Sequence, residues 1–240
     1  MKMIPKTIYQ SWFTQNFHPK IEKYFKKHRS LNPDYEFVLY NDDQVEDFIL
    51  ANFDNDIIRA FKSLNIMTAK VDFWRYLILY KKGGVYLDID SQINVKLDSF
   101  VRKDDEAIIT AETNEGLFVQ WALFFSKNHP ILEKTINNVV ENIQKRKFPN
   151  DIVNTTGPGV FTNSLKQIHF VNTNEKLVWE KINKKYDKTF EIINNNSISK
   201  YRIFGVDFNG KLSFKLKNTK HLYQNKNHWK VDERNVELYN

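Results

Sequence analysis

Residues 68–90 read TAKVDFWRYLILYKKGGVYLDID, and this stretch decides the fold. Thr68 to Lys82 has helix-forming character, and the Gly83-Gly84 pair behind it is a suitable C-terminal cap for a helix. Val85 to Ile89 follows at once and predicts a strand, because β-branched and aromatic residues dominate it. The stretch therefore predicts a helix that leads through a glycine turn directly into a strand.

Helices and strands alternate on either side of this stretch, and the final part of the chain looks strand-rich and irregular. This alternation favours an α/β fold with a mostly parallel central sheet flanked by helices. The length of 240 residues fits one domain, residues 1–240. Strands are predicted for residues 4–13, 36–40, 106–111 and 118–125, helices for residues 19–31, from a cap at 41–43 to about 52, 55–64, 130–145 and 160–168, and a tight loop for 155–159.

Composition limits the classes of function. The chain has no Cys, which excludes disulfides, thiolate catalysis and Cys-based zinc sites. We see neither a signal peptide nor the ~20 apolar residues needed to span a bilayer, and therefore expect a cytoplasmic protein. A net charge of +7 fits nucleic acid, an anionic membrane surface, a phosphate-bearing ligand or simply a Lys-rich solvated surface. Because no nucleic-acid-binding motif is present, we expect no nucleic-acid partner.

Asp88 and Asp90 are the first candidate site residues. In a strand they project to the same face, with Cα atoms about 6.5 to 7 Å apart, and two carboxylates that close repel each other. A divalent cation that carries a diphosphate relieves this repulsion, and Mg²⁺ or Mn²⁺ prefers such oxygen ligands. The end of a buried strand is also where open α/β sheets bind ligands. A pair of solvated acids at an exposed strand end is the alternative.

Asp72 and Arg75 lie three residues apart on the preceding helix and share a face. One alternative is a weak ion pair on the protein surface. However, the helix is apolar nearly all round, which predicts burial. A buried charged pair needs partners, and sugar hydroxyls suit both a carboxylate and a guanidinium.

The combined pattern Ala-x-x-Asp-x-x-Arg over 69–75 and Gly-Gly-x-Tyr-x-Asp-x-Asp over 83–90 closely resembles the donor-binding block of glycosyltransferase family 32. That family of DXD-motif sugar transferases includes fungal initiating α-1,6-mannosyltransferases and bacterial capsule and lipopolysaccharide enzymes. It is distantly similar to the glucosylating domains of large clostridial toxins. Residues 4–12 and Thr156-Gly157-Pro158 resemble two further blocks of the family.

The resemblance implies a GT-A-type, Rossmann-like nucleotide-sugar-binding fold, with a donor-binding part at about 1–110 and an acceptor or closing part at about 111–240. It also implies roles for individual residues. Trp12 is implied to lie near the nucleotide base. Asp72, Arg75 and Gln120 are implied to contact the donor sugar, with Asp72 and Arg75 holding it. Asp88 is implied to contact the ribose or sugar and to help to place the metal, and Asp90 to ligate Mn²⁺ or Mg²⁺. An aromatic core anchor is the alternative for Trp12.

The C-terminal end departs from the family pattern, because no Ser precedes the Trp of its His- and Trp-containing stretch. His221, Asn227 or His228 are the candidates to complete the metal shell, and Trp229 is the candidate to close over the donor. A polar loop without ligands is the alternative.

The implied activity is metal-dependent, retaining transfer of a hexose or N-acetylhexosamine from a nucleotide sugar, with UDP expected before GDP-mannose. The expected acceptor is a glycan or lipid-linked glycan in surface polysaccharide biosynthesis, at the inner face of an anionic membrane. No carboxylate stands out as a nucleophile, so we expect the acceptor hydroxyl to attack on the face of the leaving group.

Other functions stay open at this point. They are a toxin-like protein glycosyltransferase, a sugar-binding relative without activity, and a metal-dependent phosphotransferase or nuclease. The last would use further acids, for which the chain offers Asp98, Asp104, Asp105 and Glu106.

Overall fold

The computed structural model describes residues 3–113, 116–194, 197–214, 220–223 and 236–240. The helices are α1 Pro19–Leu31, α2 Asp42–Asn52, α3 Asn55–Lys62, α4 Met67–Lys82, α5 Pro130–Gln144, α6 Ile152–Thr155, α7 Pro158–Thr173 and α8 Lys220–Tyr223. The strands are β1 Thr7–Ser11, β2 Glu36–Tyr40, β3 Gly84–Leu87, β4 Gln92–Ile93, β5 Ala107–Ala111, β6 Ala122–Phe125, β7 Asp187–Asn194, β8 Ser197–Val206 and β9 Leu212–Ser213.

Seven of these strands form one sheet in the order β2-β1-β3-β6-β5-β8-β7. The β2–β1, β1–β3 and β5–β8 pairs are parallel, whereas β6 is antiparallel to both of its neighbours and β7 is antiparallel to β8. All of the strands except β6 and β7 therefore run in one direction. The predicted α/β fold with a mostly parallel central sheet is confirmed.

The sheet buries both of its faces. Tyr86 faces a core that it shares with helices α2 to α5 and α7, whereas its neighbours Val85 and Leu87 face a second core on the other side. This alternation is the two-residue period of a strand. Helix α1 contributes Leu31 to the second core. Because the strands in the middle of the sheet are covered on both faces, their only open boundaries are their ends.

The carboxyl ends of the parallel strands lie at one edge of the sheet. Strand β1 ends at Ser11, β3 at Leu87, β5 at Ala111 and β8 at Val206. Strand β6 runs in the opposite direction and therefore begins at this same edge, directly after Trp121. We call it the carboxyl edge. It is the edge at which open α/β sheets bind ligands.

Gly83 and Gly84 make the tight passage from α4 into β3. Gly83 caps the helix by donating its N–H to Leu79 O at 2.8 Å, and both glycines have positive φ, +69° and +113°. A Cβ on Gly84 would lie 2.7 Å from the carbonyl oxygen of Thr7. The predicted glycine turn is confirmed, and its second residue must be Gly because strand β1 approaches the backbone so closely.

Several predicted boundaries are wrong. Strand β3 ends at Leu87 rather than Ile89, because the chain turns at once after the strand. The strand predicted for 118–125 begins only at Ala122. Helix α7 begins at Pro158 and continues to Thr173, beyond the predicted residues 160–168. Proline suits the first turn of a helix, since its missing N–H has no acceptor there.

Within the described residues, every helix falls short of the length and apolar character required to cross a bilayer.

Replacement of Gly84 by Ala is expected to destabilise the protein by about 3 kcal/mol, because strain at φ +113° adds to a clash with Thr7 O. Gly210→Ala is the matched control, since Gly210 also has positive φ, +72°, but a Cβ added there would meet no atom within 4 Å. The control should lose only about 1–2 kcal/mol. Urea unfolding measures both values, and equal losses would show that the close approach of β1 does not matter.

Candidate functional site

Asp88, Ile89 and Asp90 lie in a turn at the carboxyl edge and not in a strand. The Asp88 N–H donates to Trp121 O at 2.8 Å, and the Ser91 N–H donates back to Asp88 O at 2.9 Å, which closes the turn. The prediction that the two carboxylates project from one strand face is therefore wrong. Asp90 and Ser91 are nevertheless only 7% and 2% exposed, so this turn is part of the packed structure.

Arg75 lies at the centre of a buried polar network next to this turn. Its Nη2 is 2.7 Å from Asp72 Oδ1 and its Nη1 is 3.3 Å from Asp88 Oδ1. Nη1 also donates to Gln120 O at 3.1 Å, and the guanidinium lies over the Tyr86 ring at 4.4 Å. The predicted pairing of Asp72 with Arg75 is confirmed, and burial excludes the alternative of a weak surface ion pair.

The balance of charge around Arg75 leaves Asp72 hard to ionise. Burial, assisted by the neighbouring Asp88 carboxylate, raises the pKa of Asp72 to about 6. Arg75 acts in the opposite direction, as do hydrogen bonds with Gln120 and Thr156. Two carboxylates share one guanidinium here, so the protein groups alone carry an excess of negative charge that a positive or hydrogen-bonding ligand would relieve.

Tyr86 belongs to this network, and the sequence reasoning missed it. Its hydroxyl donates to Asp88 Oδ1 at 2.7 Å, the same oxygen that Arg75 contacts. Burial raises the pKa of Tyr86 well above the usual value, so the phenol stays protonated and acts as a donor. The signal that could have found it is its position two residues before Asp88, which brings the two side chains close together.

Gln120 connects the network to the segment around α7. Its Nε2 donates to the Tyr76 hydroxyl at 2.8 Å and to Thr156 O at 3.3 Å. The Tyr76 hydroxyl in turn donates to Gly157 O at 3.1 Å. The structure therefore brings Gln120 and the Thr156-Gly157 segment to Asp72. Gln120 contacts the groups around Asp72 through both its backbone and its side chain.

Trp12 and His221 lie near the same turn. Trp12 directly follows β1, and its ring packs on a small cluster that contains Ile89 and Leu222 of α8. The His221 ring stacks on His18, with ring centroids 4.3 Å apart. The buried Leu222 packs helix α8 against the turn. Asn227, His228 and Trp229 lie outside the described residues.

Carboxylate oxygens of Asp88 and Asp90 are the ligand type that Mg²⁺ and Mn²⁺ prefer. Across the described ranges, no three His, Asp or Glu side chains are grouped as a complete metal site, and Asp88, Asp90 and His221 form no such group. The turn therefore carries two carboxylates of a suitable ligand type, and a cation bound there would need further ligands from phosphate oxygens and water.

Two of the acids that a two-metal phosphotransferase or nuclease would require have structural partners instead. Asp98 accepts from Lys6 at 2.6 Å and from the Tyr35 hydroxyl at 2.8 Å. Asp105 binds the Arg202 guanidinium through both of its oxygens, at 2.8 and 2.6 Å. Both acids are therefore engaged by other protein groups.

Comparison with known proteins identifies the family that this part of the chain resembles. Residues 18–107 match the family model described as "Glycosyltransferase sugar-binding region containing DXD motif". The match includes Asp72, Arg75, Asp88 and Asp90. The predicted resemblance to the DXD-motif sugar transferases is confirmed.

Curated relatives are named glycosyltransferases. The initiation-specific alpha-1,6-mannosyltransferase of Candida albicans is 26% identical over 68% of this chain and 53% of its own length. Inositol phosphoceramide mannosyltransferase 3 of Schizosaccharomyces pombe is 31% identical over 65% of this chain and 43% of its own. This chain thus spans about half the length of these relatives.

The solved structure of PaToxG glycosyltransferase has the same fold. Its TM-score is 0.58 at 22% identity, over 72% of this chain and 73% of that one. At this identity the likeness concerns the fold alone, and it supports the GT-A-type architecture.

The Asp72→Asn variant should reveal the raised pKa of Asp72. Because the folded pKa of about 6 exceeds the usual value of 3.8, the folded protein binds this proton more tightly, and this contribution to stability is lost as pH rises from about 4 to about 6. The wild type should therefore lose up to about 3 kcal/mol relative to the variant across that window. Urea unfolding at matched pH measures it, with the exposed Asp104→Asn as control, and parallel wild-type and Asp72→Asn curves would contradict it.

Proposed function

We propose that this chain is a metal-dependent, retaining glycosyltransferase whose donor site is the Arg75 network and the Asp88–Asp90 turn. The buried contacts of Arg75 with Asp72 and Asp88 at the carboxyl edge carry this proposal. Charged groups that suit sugar hydroxyls lie there beside acids that suit a metal diphosphate. The family-model match over these same residues supports it.

In this proposal Asp72 and Arg75 hold the donor sugar and Gln120 contacts it, while the backbone carbonyl of Gln120 accepts from Arg75. Trp12, at the end of β1, lies near the nucleotide base. Trp229 is proposed to close over the donor, and one of Asn227, His228 and His221 to complete the metal shell.

Asp90, with Asp88, would hold one Mn²⁺ or Mg²⁺ for the donor diphosphate. When bound, the cation supplies Lewis-acid stabilisation of the departing diphosphate. Tyr86 and Arg75 fix the orientation of Asp88 through Oδ1, so the carboxylate loses little conformational entropy when a donor binds. The described site therefore acts chiefly by binding and positioning.

The transfer itself forms a bond between the acceptor oxygen and the anomeric carbon and breaks the bond between that carbon and the diphosphate oxygen. The acceptor attacks on the face of the leaving group, which retains the configuration, and its proton passes to the departing phosphate. The buried carboxylate beside the donor sugar, Asp72, is already engaged by Arg75. Trapping a covalent sugar adduct on a side chain would contradict this mechanism.

The donor sugar is proposed to be a hexose or N-acetylhexosamine linked to UDP. GDP-mannose is the second candidate, because the named relatives include mannosyltransferases. The acceptor is proposed to be a glycan or lipid-linked glycan of a surface polysaccharide. Three further points stay predictions: a protein acceptor, the cytoplasmic location and the contact with an anionic membrane. The division of a single domain into a donor part at about 1–110 and an acceptor part at about 111–240 also stays a prediction.

A screen for slow donor hydrolysis tests the proposal directly. UDP- and GDP-linked sugars are incubated with the protein and Mn²⁺, and released nucleotide is measured. We expect one donor to be hydrolysed and the activity to disappear with EDTA. Failure of every donor, together with no calorimetric binding of UDP or GDP in Mn²⁺, would refute the proposed function.

Asp90→Asn should lower this hydrolysis by more than about 100-fold, because the amide is a much weaker metal ligand than the carboxylate. The matched control is the exposed Asp104→Asn, which makes the same chemical change and should leave the rate within about twofold. Hydrolysis rates at saturating donor provide the measurement. An unaffected Asp90→Asn rate would refute the metal assignment.

A further inference from the structure

A second, aromatic surface begins where the Asp88–Asp90 turn ends. Strand β4 follows this turn and pairs antiparallel with β9, with Gln92 opposite Ser213. Ser91 directly precedes β4, and Phe214 directly follows β9. Phe214 is 48% exposed. An exposed aromatic ring thus follows the strand that pairs with the segment after the Asp88–Asp90 turn.

Trp121 joins this ring to the donor site. Its carbonyl accepts from the Asp88 N–H, so its backbone belongs to the turn. Its indole ring lies 5.6 Å from the Phe214 ring and 6.0 Å from the buried Phe208 ring, centroid to centroid. Phe214 is therefore supported from beneath by a packed aromatic cluster, which holds its exposed face in a fixed position.

Asp207 lies in a left-handed turn directly before Phe208, which is a member of this cluster. Asp207, Phe208 and Asn209 all have positive φ, at +44°, +50° and +54°. Three consecutive non-glycine residues in this region are unfavourable, and such strain persists where the surrounding structure holds it. Buried Phe208 anchors the turn, and the Thr113 hydroxyl donates to Asp207. Asp207 itself is only partly buried, at the carboxyl edge after β8.

Ser91 adds an unsatisfied buried group. It is 2% exposed, and its Oγ has no hydrogen-bond partner within the described residues. Buried hydroxyls are ordinarily paired, and because this oxygen has no exposed surface it marks a position for an ordered water beside Asp90 and not a contact for a ligand at the surface.

We propose that Phe214, supported by Trp121, forms the acceptor subsite together with Asp207, and that its occupant is a pyranose ring of a carbohydrate acceptor. The inference rests on the proposed function. One face of a pyranose is apolar and packs on an aromatic ring, while its rim of hydroxyls donates to a carboxylate. The subsite adjoins the donor turn, so an acceptor hydroxyl held here is next to the donor sugar.

The test distinguishes a role in acceptor binding from a role in donor binding. The donor-loaded protein is the wild type with the nucleotide sugar that it hydrolyses and Mn²⁺, and the acceptor probes are methyl α-glucoside, methyl α-galactoside and methyl α-mannoside. Phe214→Ala removes the platform, Phe214→Tyr restores it, and Asp207→Asn removes the charge with a residue that tolerates positive φ. Phe170→Ala is the matched control, because Phe170 on α7 is also 48% exposed.

We expect Phe214→Ala to raise the KM of the best glycoside by about tenfold, the scale of one lost aromatic contact. Asp207→Asn should lower transfer by a similar factor. Donor hydrolysis without acceptor and nucleotide binding should stay within about twofold of wild type in both, and Phe214→Tyr and Phe170→Ala should transfer normally.

Normal transfer by Phe214→Ala would overturn the proposal, as would an equal loss in Phe170→Ala or a wild type that glycosylates none of the three glycosides. Loss of nucleotide binding in Phe214→Ala would overturn it as well, by assigning the ring to the donor site. A wild type that binds no nucleotide would refute the proposed function itself, and the subsite with it.

Discussion

The rest of this structure depends on the burial of one guanidinium group, that of Arg75. Arg75 is 5% exposed, and a charge in that position is tolerated only when neighbouring groups neutralise and solvate it. Asp72, Asp88 and the carbonyl of Gln120 do so, from helix α4, the turn after β3 and the segment before β6. Removing one partner from a buried pair of this kind typically costs about 3–5 kcal/mol. The network therefore fixes three elements relative to one another, and it does so at the edge where the sheet is open.

This arrangement links folding to function. Strand β3 begins at the second residue of the Gly83-Gly84 turn, where β1 approaches closely, so the helix that carries Arg75 and the turn that carries Asp88 are held at a fixed distance. Tyr86 and Arg75 both bind Asp88 through Oδ1, which orients that side chain before any ligand arrives. The raised pKa of Asp72 reflects its burial and the presence of a second acid on the same guanidinium. A ligand that supplies hydroxyls and a metal diphosphate would offset the excess of negative charge that the protein groups alone leave at this site.

Sequence reasoning recovered much of the fold because local signals were strong. The bounds of α1 and β2 agree with prediction, and the three-residue spacing of Asp72 and Arg75 was enough to predict their contact. It failed where tertiary packing overrode a local pattern. The β-branched Ile89 suggested a continuing strand, yet the hydrogen bond from Asp88 to Trp121 begins a turn. The positive φ of Phe208 could not be predicted from that residue, because bulky aromatic residues rarely adopt positive φ. Such positions depend on contacts far apart in sequence.

The central claim is that the Arg75 network and the Asp88–Asp90 turn together bind the donor. A crystal structure of the wild type with Mn²⁺ and a non-hydrolysable analogue of the nucleotide sugar tests this most directly. We predict sugar hydroxyls within about 3.2 Å of Asp72 and Arg75, and the diphosphate at the Asp88–Asp90 turn. A nucleotide sugar bound elsewhere, with the Asp72–Arg75–Asp88 contacts unchanged and no ligand beside them, would contradict it.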